Sequence, residues 1–293
     1  MGARPAPASE GRLGGEGGRR IRSRADKEET MPYNTLIMEK EGEIVTVILN
    51  RPEKLNAMTH ELLAELGMAM DEVNAMSDVR VVIIKGQGRA FSSGTDLQSL
   101  AGGEMDRTRP GFRYHITRMQ GTFNSIERLE KPVIAQIHGY ALGAAMELVL
   151  ACDFRICSLD CRFSLPEVRY GILPDLGGCQ RLLRVVGLAK AKELVMLART
   201  IDGAEAQRIG LVHKAVEAEG LEAEVRRWAE EILGLPPLSV GLGKRVLDKS
   251  ADMDLMSAQD LTTQVQSMLM RTGDFLEGVR SKMEGRRPSF KGE

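Results

Sequence analysis

Ile44-Val45-Thr46-Val47-Ile48-Leu49 is a run of β-branched and apolar residues in which neither side of an extended chain is left for water. Ile44, Thr46 and Ile48 fall on one face, and Val45, Val47 and Leu49 on the other. Such a segment suits a strand covered on both faces, the situation of a sheet flanked by helices. Further along, Thr59 is a candidate N-cap, and Leu62, Leu63, Leu66, Met70 and Val73 recur at helical spacing before Asp78 opens a turn. Residues 80–85 then read as a second buried strand, 86–94 as a loop, 111–129 as a helix and 132–137 as a third strand. The alternation is βαβ, so the fold class is α/β.

A short apolar helix over 143–151, a strand over 154–158 and further helices carry the pattern to Val212. After Glu217 no strand pattern remains. Leu221, Val225, Trp228 and Ile232, and beyond the Pro236-Pro237 break Leu238, Val240, Leu242, Val246 and Leu247, predict a C-terminal helical appendage. No internal repeat is evident. The reading divides the chain into an extension over 1–30, an α/β core over 31–225 and a helical region over 226–293. Gly, Pro and Arg dominate residues 1–30, and the absence of periodicity there predicts disorder. The acids Glu10, Glu16, Asp26, Glu28 and Glu29 fit neither a secretory nor an organelle leader, and a start at Met31 is an alternative reading.

Among 293 residues, 43% are hydrophobic and 28% charged, enough apolar material for a packed domain. Forty Lys and Arg against 41 Asp and Glu give a net charge of −1, which offers no overall field for nucleic acid or a membrane surface. No run approaches the about 18 apolar residues that cross a bilayer. Cys152, Cys157, Cys161 and Cys179 lack disulfide-framework or zinc spacing and read as reduced thiols of a cytoplasmic protein. The four histidines form no ligand motif, so no metal is expected. The 16 methionines and Trp228 are read as core filling.

Three segments carry candidate chemistry. In the first, Glu147 lies within the otherwise apolar run from Gly143 to Ala151. Burial would raise its pKa toward the range of a general acid or base at neutral pH; the alternatives are an exposed helix edge or a structural ion pair. Gly143, Ala144 and Ala145 leave the first N–H groups of this helix uncovered, which suits either an oxyanion or close helix packing. The second segment, residues 163–178, places Glu167 and Asp175 in a Gly- and Pro-containing loop. Taken alone, Glu167 is a surface loop residue and Asp175 an N-cap or first-turn acid of the next helix. In the third, residues 90–97, Gly94 allows a turn that exposes the next N–H, without matching a known nucleotide-phosphate loop.

In combination and order, "LNRPEKLNAM" (49–58), "AFSSGTDL" (90–97), "KPVIAQIHGYALGAAMELVLACD" (131–153), "FSLPEVRYGILPDLGGCQRLLRVVG" (163–187), "AEAQRIGLVHKAV" (204–216) and "RRPSFKGE" (286–293) resemble the enoyl-CoA hydratase/isomerase, or crotonase, family. The resemblance covers residues 33–291. It implies a crotonase-like spiral of ββα units with two sheets and a C-terminal helical trimerisation region, assembled as a trimer or a dimer of trimers. It also implies an acyl-CoA thioester substrate, with coenzyme A entering as part of that substrate and no resident cofactor. By position, the backbone N–H groups of Thr95 and Ala144 correspond to the oxyanion hole, next to Gly94 and Gly143. Ala144 and Ala145 replace glycines common among relatives.

Glu147 and Glu167 correspond to the pair of glutamates that hold water for addition across a 2,3 double bond. Asp175 matches an acid found in dienoyl-CoA isomerases, which leaves double-bond migration as the alternative reaction. Backbone around Lys54, Leu55 and Ala57 corresponds to the adenine end of coenzyme A, and Asp96 and Leu97 to the pantetheine arm. Phe290 and Lys291 correspond to contacts with a neighbour's coenzyme A, with a solvated tail charge as the alternative for Lys291. Residues 98–122 are expected to line the acyl pocket in part, as a mobile charged segment or an ordinary surface loop. Some relatives bind RNA or act as assembly partners; the balanced charge and lack of a basic, aromatic-interleaved stripe argue against that here.

Overall fold

The computed structural model describes residues 1–2, 33–101 and 108–293. It has two units, Met1–Pro32 and Tyr33–Glu293. The disordered extension read over 1–30, and the question of a start at Met31, lie outside the described residues apart from Met1 and Gly2. So does the Gly102-Gly103 part of the acyl-pocket segment.

Within the second unit, and among the described residues, the strands form two sheets. The larger contains β1 (Leu36–Glu41), β2 (Ile44–Leu49), β3 (Val81–Gly86), β4 (Val133–Ile137), β6 (Phe154–Ser158) and β9 (Lys214–Val216), in that spatial order. The β1–β2 pair is antiparallel and the remaining pairs are parallel. The smaller sheet is β5 (Tyr140–Leu142), β7 (Arg162–Ser164) and β8 (Ile201–Asp202). Helices α1 (His60–Ala75), α2 (Leu97–Ala101), α3 (Arg109–Arg128), α4 (Ala144–Ala151), α5 (Gly178–Met196), α6 (Gly203–Arg208) and α7 (Leu221–Leu233) connect and cover the strands. They are followed by α8 (Pro237–Ser250), α9 (Leu255–Leu269) and α10 (Gly273–Glu284).

The two faces of β2 explain the layering. Ile44 joins Val81, Ile83, Ile134 and Ile156 against the α7 stripe of Leu221, Val225, Ala229 and Ile232. Val45, Val47 and Leu49 face the other way, into the core shared with α1, α3 and α4. Helix α1 begins as its sequence requires, with the Thr59 hydroxyl accepting from the Leu62 N–H at 3.2 Å. Leu62, Leu66, Met70 and Val73 are fully buried, and each such side chain contributes about 1.5–3 kcal/mol.

Three expectations change. β1 emerges as a separate strand at the edge of the large sheet, where Leu36-Ile37-Met38 is too short an apolar run to stand out and only Leu36 is buried. The division between residues 225 and 226 falls inside α7, whose apolar stripe belongs to the cover of the sheet, so the helical appendage begins with α8. Met58, Met70 and Met146 are buried and Trp228 packs partly against the sheet. Met256, Met268, Met270 and Met283 instead stand exposed on or beside α9 and α10, uncovered among the described residues.

Candidate active site

Strands β2, β3 and β4 run parallel, so the loops that follow them leave the same edge of the sheet, where α/β proteins build their sites. Residues 50–59 follow β2, 87–96 follow β3 and 138–143 follow β4. Backbone bonds lace them together. The Met58 N–H donates to the Gly94 carbonyl at 2.8 Å and the Asp96 N–H to the Met58 carbonyl at 2.9 Å. The Ser92 N–H donates to the Tyr140 carbonyl at 2.9 Å.

The pin of this assembly is Asn56, which motif reading passed over. It is fully buried at φ +53° and donates from Nδ2 to the Gln87 and Ala90 carbonyls at 2.9 and 2.8 Å, while its Oδ1 accepts from the Arg51 N–H. Asparagine is among the few residues enriched in that left-handed region. Its carbonyl accepts from the Ser92 hydroxyl at 2.7 Å, and Ser92 Oγ in turn accepts from the Gly94 N–H.

Gly94, at φ +89°, brings the third segment against the first. A methyl group placed on it would lie 2.2 Å from the Leu142 carbonyl oxygen and 3.4 Å from the Ala144 nitrogen. The Thr95 and Ala144 N–H groups therefore lie on adjoining strands of backbone, and neither has a hydrogen-bond partner among the described residues. Ala144 opens α4, and Gly143 precedes it at φ +54° with its own N–H donated to the Ser164 carbonyl.

Glu147, in the first turn of α4, is 2% exposed. Its Oε1 accepts from the N–H groups of Leu176 and Gly178, both at 2.8 Å. Burial pushes the carboxyl up to about 8; these N–H groups oppose the rise, and Glu167 and Asp175 add to it. Glu167 begins a 3-10 turn (Glu167–Tyr170), half-buried instead of on the surface, and burial raises it to about 7. Its Oε2 is shielded from solvent with no hydrogen-bond partner among the described residues, and a methyl group on Gly143 would meet Oε1 at 2.8 Å. The Glu167 carboxyl group thus lies against Gly143, which precedes α4, while the carboxyl group of Glu147, a first-turn residue of α4, lies against the start of α5.

Asp175 is solvent-exposed, yet the protein around it raises its carboxyl. It does not cap the following helix. Gly177, at φ +101°, holds the N-cap position of α5, because the Gly177-Gly178 pair lets the loop turn once more before the helix starts.

The residues matched to coenzyme A divide by location. Lys54 is exposed, Leu55 and Ala57 lie in the Asn56 loop, and the Lys54 and Leu55 carbonyls accept from the Ala57 and Ser93 N–H groups. The Ala57 carbonyl accepts from Arg51. Asp96 caps α2 through the Gln98 and Ser99 N–H groups and pairs with Arg51 at 3.2 Å, leaving Leu97 exposed. The last residues are tied down: buried Asp274 accepts from the Lys291 and Gly292 N–H groups at 2.7 and 2.9 Å, and Phe290 packs beside Gly278. The Lys291 ammonium points to solvent, with Glu293 at 3.8 Å. Among the described residues no group of three or more His, Cys, Asp or Glu side chains is placed to hold a metal ion.

The enoyl-CoA hydratase/isomerase family profile matches residues 39–293. A short-chain-enoyl-CoA hydratase of Clostridium acetobutylicum is 36% identical over 258 residues, covering 88% of this chain and 97% of that protein. A peroxisomal Delta(3,5)-Delta(2,4)-dienoyl-CoA isomerase of Arabidopsis thaliana is 37% identical over 270 residues, covering 88% and 97%. A crystal structure of an enoyl-CoA hydratase from Bacillus anthracis superposes with a TM-score of 0.83 at 34% identity, covering 88% of this chain and 100% of that one. On this agreement of sequence and fold, the chain belongs to the enoyl-CoA hydratase/isomerase family and has the crotonase fold.

Proposed function

We propose that this protein is an enoyl-CoA hydratase that adds water across the 2,3 double bond of an acyl-CoA thioester. The observation that carries the reading is the placement of buried Glu147 in the first turn of α4 and of the Glu167 carboxyl group against Gly143, which precedes that helix, beside the unengaged N–H groups of Thr95 and Ala144. One carboxylate takes a proton from water as the oxygen bonds to the β-carbon. The π electrons move onto the thioester, and its oxygen accepts hydrogen bonds from Thr95 and Ala144 while it carries negative charge. The other carboxyl group delivers a proton to the α-carbon, so the pair ends with its proton exchanged between its members. With Oε1 of Glu147 committed to the Leu176 and Gly178 N–H groups, Oε2 is the oxygen offered to water.

Coenzyme A enters as part of the substrate and no resident cofactor is invoked. Lys54, Leu55 and Ala57 would border its adenine end, Asp96 and Leu97 the pantetheine arm, and Phe290 and Lys291 the coenzyme A of a neighbouring subunit.

The test is loss of the conjugated enoyl-thioester absorbance with crotonyl-CoA and longer enoyl-CoAs. Rapid loss in the wild type, abolished by Glu147→Gln and by Glu167→Gln, is expected. A second reading follows from Asp175, whose carboxylate acts electrostatically on both glutamates: isomerisation of a dienoyl-CoA with Asp175 as a third proton carrier. Absence of hydration, with dienoyl-CoA isomerised only while Asp175 is intact, would replace the first reading by the second.

Self-association as a trimer or a dimer of trimers belongs to the same proposal. Leu255, Met256, Leu276 and Met283 are each more than 60% exposed, and a groove of about 820 Å³ runs between α8, α9 and α10. Exposed apolar area of this kind marks association surfaces. Light scattering at micromolar concentration should return the mass of three or six chains, and a monomer would refute it. Among the described residues no helix is long and apolar enough to cross a membrane. The free thiols support a cytoplasmic location.

A further inference from the structure

The loop that holds Glu147 is itself held by one face of α3. Gln120 Nε2 donates to the Asp175 carbonyl at 2.6 Å. Arg181 Nη1 donates to the Leu176 carbonyl at 3.0 Å, and its Nη2 donates to Asn124 Oδ1 at 2.7 Å and Glu127 Oε2 at 2.8 Å. Gln120, Asn124 and Glu127 follow one another at steps of four and three residues, the spacing of a single helix face. Arg181 is only 7% exposed, and its planar fork suits this division between a carbonyl and two side-chain oxygens. Gly177 makes the arrangement possible, since a methyl group there would sit 2.1 Å from Arg181 Nη1.

Leu176 is consequently gripped at both ends of its residue. Its N–H donates to Glu147 Oε1 while its carbonyl accepts from Arg181. We infer that Gln120 and Arg181 are positioning residues for Glu147, holding residues 174–178 so that the Leu176 and Gly178 N–H groups converge on Oε1. The inference rests on the reading of Glu147 as a catalytic carboxyl group. Two N–H donors favour the ionised carboxylate, so a loosened loop withdraws support from that form alone.

Gln120→Ala and Arg181→Lys test this. The Arg181→Lys side chain keeps the charge but cannot reach three oxygens in a plane. Glutamate side-chain carboxyl groups are followed by ¹³C NMR over pH, with the Glu147 signal assigned by its loss in Glu147→Gln; this needs no turnover. The Glu147 midpoint is expected to move upward by about half a pH unit or more in both variants. With crotonyl-CoA, kcat is expected to fall about tenfold with KM nearly unchanged, and the corresponding limb of the pH profile to shift in the same direction. Thermal melting shows whether each variant is folded at the temperature used. An unmoved Glu147 midpoint in both folded variants overturns the inference whether or not the protein hydrates. A wild type that fails to hydrate any enoyl-CoA while the midpoint still moves leaves the positioning role standing and removes the hydratase reading.

Discussion

Glu147→Gln is expected to lower kcat for crotonyl-CoA hydration by about 10²–10⁴-fold with little change in KM, the size of effect typical of a lost general acid or base. The amide keeps the shape of the side chain, and its carbonyl oxygen still accepts from Leu176 and Gly178. It carries no exchangeable acid proton, so the chemical step alone suffers. A variant retaining most of its kcat would show that the buried carboxyl group is structural.

The same substitution should stabilise the protein, and its pH dependence follows from linkage. Glu147 titrates near 4.5 when unfolded and is pushed up to about 8 by burial in the fold. Between those values the folded chain retains a proton that the unfolded chain has released, so folding stability falls as pH rises through that window. Glutamine has no such loss. The melting temperature of Glu147→Gln should match the wild type near pH 4 and exceed it by at least about 2 °C at pH 8. A difference independent of pH would contradict the assignment.

The other large effect is expected from Gly94→Ala. Its methyl group would meet the Leu142 carbonyl oxygen at 2.2 Å and the carbonyl carbon at 3.1 Å, both backbone atoms that cannot rotate aside. At φ +89° the alanine would also be strained. The two loops must separate, carrying the Thr95 and Ala144 N–H groups away from the thioester oxygen they are proposed to share. Loss of one such donor costs about 10²–10³ in kcat, and at least a hundredfold fall is expected in protein shown by circular dichroism to be folded. Thr95→Ala and Ala144→Gly retain both N–H groups and should stay within about tenfold of wild type, far above the loss of a donor. Equal losses in all three variants would argue that these side chains, not the backbone donors, hold the substrate.

How far the sequence reveals these features depends on where the partners lie. β2, β3 and β4 are legible because each is rich in β-branched and apolar residues, broken by a single polar side chain (Thr46, Lys85 and Gln136), and is buried along most of its length. β5, β7 and β8 have two or three residues each and are defined only by their neighbours. Glu147 stands out as an acid among apolar residues, and the family resemblance brings Glu167 to it. Gln120, Arg181 and Asn56 give no comparable signal, since most of their side-chain bonds run to residues at least 30 positions away, the local exceptions being Asn56–Arg51 and Arg181–Leu176. The capping role read for Asp175 fails for a local reason: a second glycine moves the start of α5 to Gly178.

The layer that α7 adds over Ile83, Ile134 and Ile156 also sets an order of events on the ribosome. The strands it covers are synthesised well before it, and β9, which closes one side of the large sheet, precedes it by only a few residues. Until residues 221–233 emerge, a nascent chain presents a parallel sheet with one apolar face wet and one edge open, the kind of surface that chaperones capture and that aggregates when left alone. Parallel pairings across long crossovers form slowly, which lengthens the exposure. Completion of this enzyme therefore waits on its last third, and chains released before Leu221 are substrates for quality control.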